Sequence, residues 1–321
     1  MIQSGNQKRI NRWGYFFIAP FVIVFIIFNL WPTLYTFMLS FTDLKGLRSS
    51  FIFIGLDNFK RLVQDRIFLL SIRNTFIIAW CTFIPQLCIA LILAIWFSDI
   101  RLNLKGKGIF RAVIFMPYLL TAAAISVLYR NFFTFPNGFM SQLLYTIGLR
   151  QTVERDGEII YQAFEFFRSV LFTRGLVSFI FWWMYYGSTN IILMAGITSI
   201  SPTLYESAVV DGANSRQTTW YITLPLLRPI ILYIFFTSMI GGMQAFDIPF
   251  LLTEPIGSPN NSIMTMAMYV YNIGFRGNSD KAFAAAISIG MFVLTIVMAL
   301  IIFFFLQDRS ELRNVKSKRR V

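Results

Sequence analysis

The chain has 321 residues, of which 56% are hydrophobic and 13% are charged, and its formal net charge is +13. Soluble domains carry about 25% charged residues, so this chain has roughly half the charge that a water-facing surface needs. It contains no histidine, which excludes histidine-based acid–base catalysis and histidine metal ligation. The composition predicts a polytopic membrane protein.

The first predicted elements are a basic segment over residues 1–14 and an apolar run over 15–41. The run is too long for the apolar region of a cleaved signal peptide, and no small-residue cleavage site follows it. We therefore predict a retained transmembrane helix, because backbone polar groups in lipid must be satisfied within the segment. Residues 42–74 then form a predicted extracytoplasmic loop.

Five further apolar runs approach or exceed the roughly 20 residues that cross a bilayer. They complete a predicted all-α fold of six transmembrane helices, with a five-helix core within residues 75–306. The five runs are 75–97, 112–133, 176–197, 229–252 and 283–306. Pro85 and Pro117 lie inside two of them and predict bends. Cys81 and Cys88 lie two helical turns apart, which is too far for a disulfide.

The predicted outer segment over residues 134–174 is long and irregular. It opens with the turn-forming tripeptide Pro136-Asn137-Gly138. An amphipathic stretch over 139–149 is suited to the membrane interface, and residues 151–174 are charged, with no recognisable pattern. No function is predicted for this part of the segment.

A polar interruption over residues 198–228 separates the fourth and fifth predicted spans. Ser201-Pro202 is a helix-start signal, with serine as the N-cap and proline at the first helical position. A short helix is predicted over 202–210, and Asp211-Gly212 is predicted to end it, because glycine readily adopts a positive φ. Leu224-Pro225 is predicted to end the loop and to begin the fifth span. The alternative is an ordinary cytoplasmic loop with solvated charges.

The density of lysine and arginine favours a cytoplasmic location for both termini. The basic tail over 307–321 and a basic loop containing Lys105, Lys107 and Arg111 carry most of this bias. The positive charge is therefore interpreted as a topology signal with attraction to anionic lipid. Binding to nucleic acid is not expected, because the chain has no soluble basic domain.

The polar loop resembles the E-A-A loop of permease subunits in bacterial carbohydrate-uptake ABC importers, the group with maltose, glycerol-phosphate and lactose-type systems. The matching residues are Glu206, Ser207, Ala208, Gly212, Ile222, Leu224 and Pro225. Weaker matches follow in order over nearly the whole chain, including Pro32-Thr33, Asn74-Thr75 and Phe246-Asp247. Ser207 departs from the family's alanine, and residues 151–174 have no counterpart.

The resemblance implies a type I ABC importer permease fold in a bacterial cell membrane and no catalytic residues in this chain. It implies an ATPase-coupling role for the loop residues Glu206, Ser207, Ala208, Asp211, Gly212, Leu224 and Pro225. The implied partners are a second, homologous permease in a heterodimer, two cytoplasmic ATPase subunits and an extracytoplasmic solute-binding protein. ATP and Mg are expected in the ATPase subunits, because this chain has no Walker motif and is expected to hold no cofactor or metal.

Solute-binding candidates come from the fourth and fifth spans, where aromatic faces and amides suit a sugar. Trp182, Tyr186 and Asn190 recur every four residues and are predicted to face one cavity with Gln244. Asp247 is a further candidate, because a charge within a span is functional by default. The alternatives are an interfacial aromatic belt for Trp182, packing for the stripe, and a structural or gating role for Asp247.

Two other classes of function compete with an importer subunit. An ion-coupled secondary transporter is expected to place several carboxylates within its spans, and only Asp247 qualifies. An integral membrane glycosyltransferase is expected to carry paired carboxylates or a metal-binding aspartate motif, and none is evident. Neither class explains the loop from Glu206 to Pro225.

Overall fold

The computed structural model describes residues 3–46, 52–98, 106–155, 158–253, 256–277 and 279–306. The predicted basic tail over 307–321 and Lys105 lie outside these residues. The chain divides into two compact units, Met1–Asp65 with Val270–Gly290, and Arg66–Tyr269 with Met291–Val321.

The first helix pair continues through a proline. Helix α1 covers Gln3–Phe25, a π-helical turn covers Ile26–Leu30, and α2 covers Trp31–Leu39. The π turn comes immediately before Trp31-Pro32, and proline has no backbone N–H for the helical ladder. The Thr33 hydroxyl donates to the Asn29 carbonyl over 2.7 Å. A short helix α3 follows at Asp57–Gln64.

The second predicted span is one continuous helix, and the third is a broken pair of helices. Helix α4 runs over Arg66–Ser98 with Pro85 inside it. Helix α5 covers Lys107–Phe115, a 3-10 turn covers Met116–Leu119, and α6 covers Ala122–Phe133. The two halves of the third predicted span meet at 85°, next to Pro117. The bend that this proline predicted is therefore confirmed.

The outer segment contains a helix and a small sheet. Helix α7 covers Phe139–Thr146, within the predicted amphipathic stretch. Strands β1 at Gln151–Arg155 and β2 at Glu158–Gln162 pair antiparallel, with Gln151 opposite Gln162. This hairpin is an addition to the predicted all-α fold.

The central part of the chain is helical almost throughout. Helix α8 covers Val170–Thr198, α9 Pro202–Val210, α10 Ser215–Thr218, α11 Leu224–Met243 and α12 Asp247–Leu252. A π turn at Thr219–Thr223 joins α10 to α11. The second half of the predicted loop, from Ser215 onward, is therefore helical. As in the first helix pair, the π turn comes immediately before an Xaa-Pro pair, here Leu224-Pro225. The fifth span ends at Met243, nine residues before its predicted end at residue 252.

The last elements are α13 at Met266–Phe275 and α14 at Lys281–Leu306. Among the described residues, five helices are long and apolar enough to cross a membrane. The bent pair α5–α6 makes a sixth if it counts as one span. The multi-pass helical fold is confirmed, and the count of six spans stays a prediction.

The first unit is held by polar contacts around a small apolar cluster. Leu39, Leu44, Ala282 and Ala285 form the cluster. The Asn58 amide donates to the carbonyls of Ser40 and Thr42 over 2.9 and 2.8 Å. Arg61 pairs with Asp280 over 2.8 Å, and its guanidinium lies 3.8 Å from the Phe283 ring centroid.

The second unit is organised around α4 and α8, which pack along their length. Ala90, Ala94 and Leu193 are fully buried between them. At Gly187 on α8 an added Cβ would collide with the Ile114 carbonyl oxygen. Small residues permit such close helix approach in membranes, where hydrophobic burial does not drive association.

Candidate functional site

Helix α9 begins and ends close to the sequence prediction. Pro202 occupies its first turn and Ser201 its N-cap position. The Ser201 hydroxyl does not cap the helix; it lies 2.8 Å from the Thr203 hydroxyl. The predicted serine cap is therefore wrong in its bonding, because the neighbouring hydroxyl takes the place of the backbone N–H.

The C-terminus of α9 is a Schellman turn. Gly212 has φ of +78° and donates to the Val209 carbonyl over 3.1 Å, while Ala213 donates to Ala208 over 2.9 Å. This pairing of the residues after the cap satisfies the last helical carbonyls and needs a left-handed residue. The predicted positive φ at Gly212 is confirmed. Asn214 then caps α10 through a reciprocal bond with Gln217.

The surface of α9 is largely exposed. Glu206, Ser207 and Asp211 are exposed, whereas Ala208 is buried at 7% exposure. Val210 is 87% exposed and Leu204 is 45% exposed. The helix therefore presents a mixed charged and apolar surface while it is anchored by one small side chain.

Helix α9 is connected to both α8 and α11. Three residues, 199–201, separate it from the end of α8. The Tyr205 hydroxyl lies 3.2 Å from that of Thr223, next to the start of α11. Leu224 is half-buried and Pro225 is exposed. Helix α9 is therefore joined to α8 by a short connection and to the start of α11 by a hydroxyl contact.

A cavity of about 160 Å³ adjoins α9. It is lined by α9 residues Tyr205 and Val209, by Ile95 and Ser98 at the end of α4, and by other residues of α8 and α10. The Ser98 hydroxyl is buried without a hydrogen-bond partner in the described structure. Protein interiors are close-packed and have few such voids. The cavity therefore leaves space between α9 and the neighbouring helix ends.

A larger cavity of about 360 Å³ lies between α4, α8 and α11. It is lined by aromatic, hydroxyl, amide and small side chains. These are Ile78, Ala79, Thr82, Phe83, Gln86, Tyr118, Phe181, Tyr185, Ser188, Thr189, Ile192, Ile234, Thr237, Ser238, Gly241, Gly242 and Ala245. Its size falls within the range of small-molecule pockets.

The polar side chains of this cavity include one interhelical hydrogen bond and one buried hydroxyl without a partner among the described residues. Gln86 on α4 is 6% exposed, and its amide donates to the Thr189 hydroxyl of α8 over 2.8 Å. The Thr82 hydroxyl is buried without a partner in the described structure. Tyr118 and Tyr185 meet edge to face with centroids 5.9 Å apart. Aromatic faces beside uncharged donors and acceptors are suited to a saccharide.

The predicted solute residues lie outside this lining. Trp182 and Tyr186 contact each other with ring centroids 6.1 Å apart. Asn190 is 1% exposed and donates to the Ala90 carbonyl of α4 over 3.0 Å. Gln244 and Asp247 are exposed at the break between α11 and α12. The packing alternative therefore describes Asn190, and a solute contact for the other four stays a prediction.

The cavity face of α8 is displaced by one residue from the predicted stripe. Phe181, Tyr185, Ser188 and Thr189 line the cavity, whereas the prediction took the positions 182, 186 and 190. One residue corresponds to about 100° around a helix, since 3.6 residues complete a turn. The sequence signal for the cavity face is Gln86 of α4, a buried amide within an otherwise apolar run.

The outer ends of α4 and α8 are joined by a polar cluster. Arg174 donates to the Asn74 amide oxygen over 2.6 Å and to the Ser262 carbonyl over 2.8 Å. Asn74 in turn donates to the carbonyls of Asn261 and Met264 over 2.7 and 3.1 Å. This cluster ties the segment before α13 to the two helices that flank the cavity.

No family model matches this chain. It is 29% identical over 297 residues to the lactose transport system permease protein LacF of Rhizobium radiobacter, covering 92% of this chain and 94% of that protein. It is 30% identical over 305 residues to the probable ABC transporter permease protein YesP of Bacillus subtilis, covering 94% and 93%.

A solved structure has the same fold. A chain of a bacterial alginate ABC transporter, in complex with an alginate pentasaccharide-bound periplasmic protein, superposes with a TM-score of 0.76 at 24% identity. The match covers 92% of this chain and 94% of that chain.

Proposed function

Because this chain belongs to the ABC transporter permease family, we propose that it forms part of the membrane passage of an ATP-driven importer for a sugar or oligosaccharide. The family relationship is carried by the relatives that it matches along most of their length. The proposal about solute follows from the cavity between α4, α8 and α11, whose wall combines two tyrosines with hydroxyl and amide groups.

The observation that carries the mechanism is the connection of α9 to both sides of the cavity. Helix α8 supplies one wall and leads into α9 within three residues. Helix α11 supplies another wall, and its start adjoins Thr223, which contacts Tyr205 of α9. A partner that moves α9 therefore moves two walls together, and rigid shifts of packed helices are a common form of conformational switching.

We infer that the partner at α9 is a cytoplasmic ATPase subunit. Glu206 and Asp211 provide exposed negative charge, and Leu204 and Val210 provide exposed apolar area. Ser207 is small enough for close approach. Two such subunits would bind ATP and Mg, whereas this chain would hold neither. Closure of the ATPase pair on ATP would push α9 and open the cavity outward.

The remaining partners are proposed from the same architecture. Residues 15–38 of the first helix pair expose large apolar side chains, including Phe21, Phe28 and Trp31. Lipid and a second, homologous permease in a heterodimer would cover this surface. A solute-binding protein would deliver solute at the opposite side of the membrane from α9. We propose that both termini lie in the cytoplasm, which the basic residues Lys107 and Arg111 of α5 support.

The test compares two proline substitutions in the importer reconstituted with its partner subunits in proteoliposomes. Gly212→Pro places a fixed negative φ where the Schellman turn has φ of +78°. Gly148→Pro is the matched control, because Gly148 has φ of +88° and ends α7 with the same bond pattern, from Leu149 to Leu144.

The proposal predicts that Gly212→Pro abolishes the stimulation of ATP hydrolysis by the solute-loaded binding protein. Gly148→Pro is expected to retain that stimulation, because α7 lies away from the ATPase contact. A fully stimulated Gly212→Pro complex would refute the role of α9 in coupling. Glu206→Arg supplies a second variant that reverses the charge without changing the backbone, and it is expected to weaken stimulation.

A further inference from the structure

We propose that the wall which this chain contributes to the passage selects uncharged saccharides over acidic ones. The inference rests on the proposed function, since it concerns the solute of the same cavity. It adds the charge class of that solute, which neither the fold nor the family relationship determines.

The first observation is the chemistry of the lining. Among the described residues that line the cavity, none is a lysine, arginine, aspartate or glutamate. The polar groups are uncharged: the Gln86 amide, the hydroxyls of Thr82, Ser188, Thr189, Thr237 and Ser238, and the two tyrosine phenols. A carboxylate that leaves water for this wall loses hydration and gains no cationic partner, whereas a sugar hydroxyl exchanges one neutral hydrogen bond for another.

The second observation is the direction of the helix that ends at the cavity. Gly241 and Gly242 lie in the last turn of α11 and line the cavity. The C-terminal end of a helix carries roughly half a negative charge, which repels anions. Asp247, exposed in the first turn of α12, adds a full negative charge shortly after this helix end. Both features disfavour an anionic solute near this wall.

Arg174 is the cation of α8 that comes before the cavity face. It lies seven residues before Phe181, which is about two helical turns and about 10 Å along the helix axis at 1.5 Å per residue. Its guanidinium donates to the Asn74 side chain and to the Ser262 carbonyl. Its hydrogen bonds are therefore made in the outer polar cluster, and Arg174 is not among the described residues that line the cavity.

The experiment measures binding to the purified importer in lipid nanodiscs without the solute-binding protein, so that the binding protein's own selectivity plays no part. The probes are two pairs of oligosaccharides that differ only in the oxidation state of carbon 6. One pair is a β-1,4-glucan pentasaccharide and its uronic acid form; the other is carboxyl-reduced and native alginate pentasaccharide. Thermal stabilisation of the complex gives the concentration for half-maximal binding.

For each pair that shows binding, we expect the neutral member to reach half-maximal binding at a concentration at least tenfold lower than the acidic member. This difference corresponds to about 1.4 kcal/mol of binding free energy. Equal or tighter binding of the acidic members would overturn this inference and leave sugar import intact. Binding of neither class would overturn the proposed solute wall itself, and this inference with it.

A charge introduced into the wall provides the second arm. Thr237→Lys places a cation at an exposed lining position whose hydroxyl bonds only to its own helix, over 2.9 Å to the Tyr233 carbonyl and 3.1 Å to that of Ile234. Thr146→Lys on α7 is the matched control, because its hydroxyl bonds the Gln142 carbonyl over 2.9 Å in the same way. The proposal predicts that only Thr237→Lys reduces the neutral preference, by about tenfold. An unchanged preference in Thr237→Lys would contradict it.

Discussion

Two buried amides allow the structure-based cavity to be tested against the sequence-based stripe. Gln86 lines the cavity and donates to Thr189, whereas Asn190 lies outside it and donates to the Ala90 carbonyl. Both side chains are almost fully buried, at 6% and 1% exposure. Gln86→Leu and Asn190→Leu therefore remove a comparable interhelical hydrogen bond and differ in their relation to the cavity.

The expected magnitudes separate the two roles. An interhelical hydrogen bond in a membrane protein contributes about 0.6 kcal/mol, and up to about 1.7 kcal/mol. Both variants should lose stability on this scale, since each leaves a former partner unsatisfied. Only Gln86→Leu removes a group available to solute, and a lost hydrogen bond of about 1 kcal/mol raises the half-saturating solute concentration roughly fivefold.

The assay is ATP-dependent uptake into proteoliposomes, with the unfolding midpoint of each complex measured in parallel. The structure predicts an increased half-saturating concentration for Gln86→Leu and an unchanged value for Asn190→Leu at similar losses of stability. The reverse result, with the effect confined to Asn190→Leu, would refute the cavity assignment and restore the stripe of positions 182, 186 and 190.

Three further predictions concern packing, the outer cluster and topology. Gly187→Leu should prevent a stable complex, because the leucine side chain would overlap the Ile114 carbonyl and overpacking costs about 1–3 kcal/mol. The measurement is the recovery of the complex from size-exclusion chromatography, and full recovery would show that α5 and α8 can separate. Arg174→Met should lower the unfolding midpoint by removing charge-assisted bonds to Asn74 and Ser262, worth about 1.5–3 kcal/mol each, whereas Arg66→Met on the exposed start of α4 should not. A fluorescent reporter fused after residue 321 should be bright, as expected for a cytoplasmic C-terminus, and a dark fusion with an active periplasmic reporter would reverse the topology.

Helix α9 was predictable because its signals are local. Ser201-Pro202 and Asp211-Gly212 determine where α9 begins and ends through fixed φ preferences. The effect of Pro225 was only partly predictable, because the helix continues through the π turn at Thr219–Thr223. The same arrangement precedes Pro32, so a proline in this chain marks a change of helix type as well as a helix end.

The face of α8 that lines the cavity was not predictable from the sequence of α8 alone. That helix is apolar on all sides, so its sequence does not distinguish the face of Tyr185 and Ser188 from the face of Tyr186 and Asn190. The choice is made by tertiary partners on α4, chiefly Gln86 and the Ala90 carbonyl. The β1–β2 hairpin had a local signal, since Asp156-Gly157 is a strong hairpin-turn sequence, although its charged flanks obscured the strands.

We propose that the cavity between α4, α8 and α11 is the solute passage and that its access changes with the nucleotide state of the ATPases. The most direct measurement is labelling of Ser238→Cys by a membrane-impermeant maleimide, with the exposed native Cys81 and Cys88 replaced by alanine. Ser238 lines the cavity. We expect labelling from the cytoplasmic side without nucleotide, labelling from the outer side after ATP trapping, and protection by bound saccharide. Labelling that is independent of nucleotide and saccharide would contradict it.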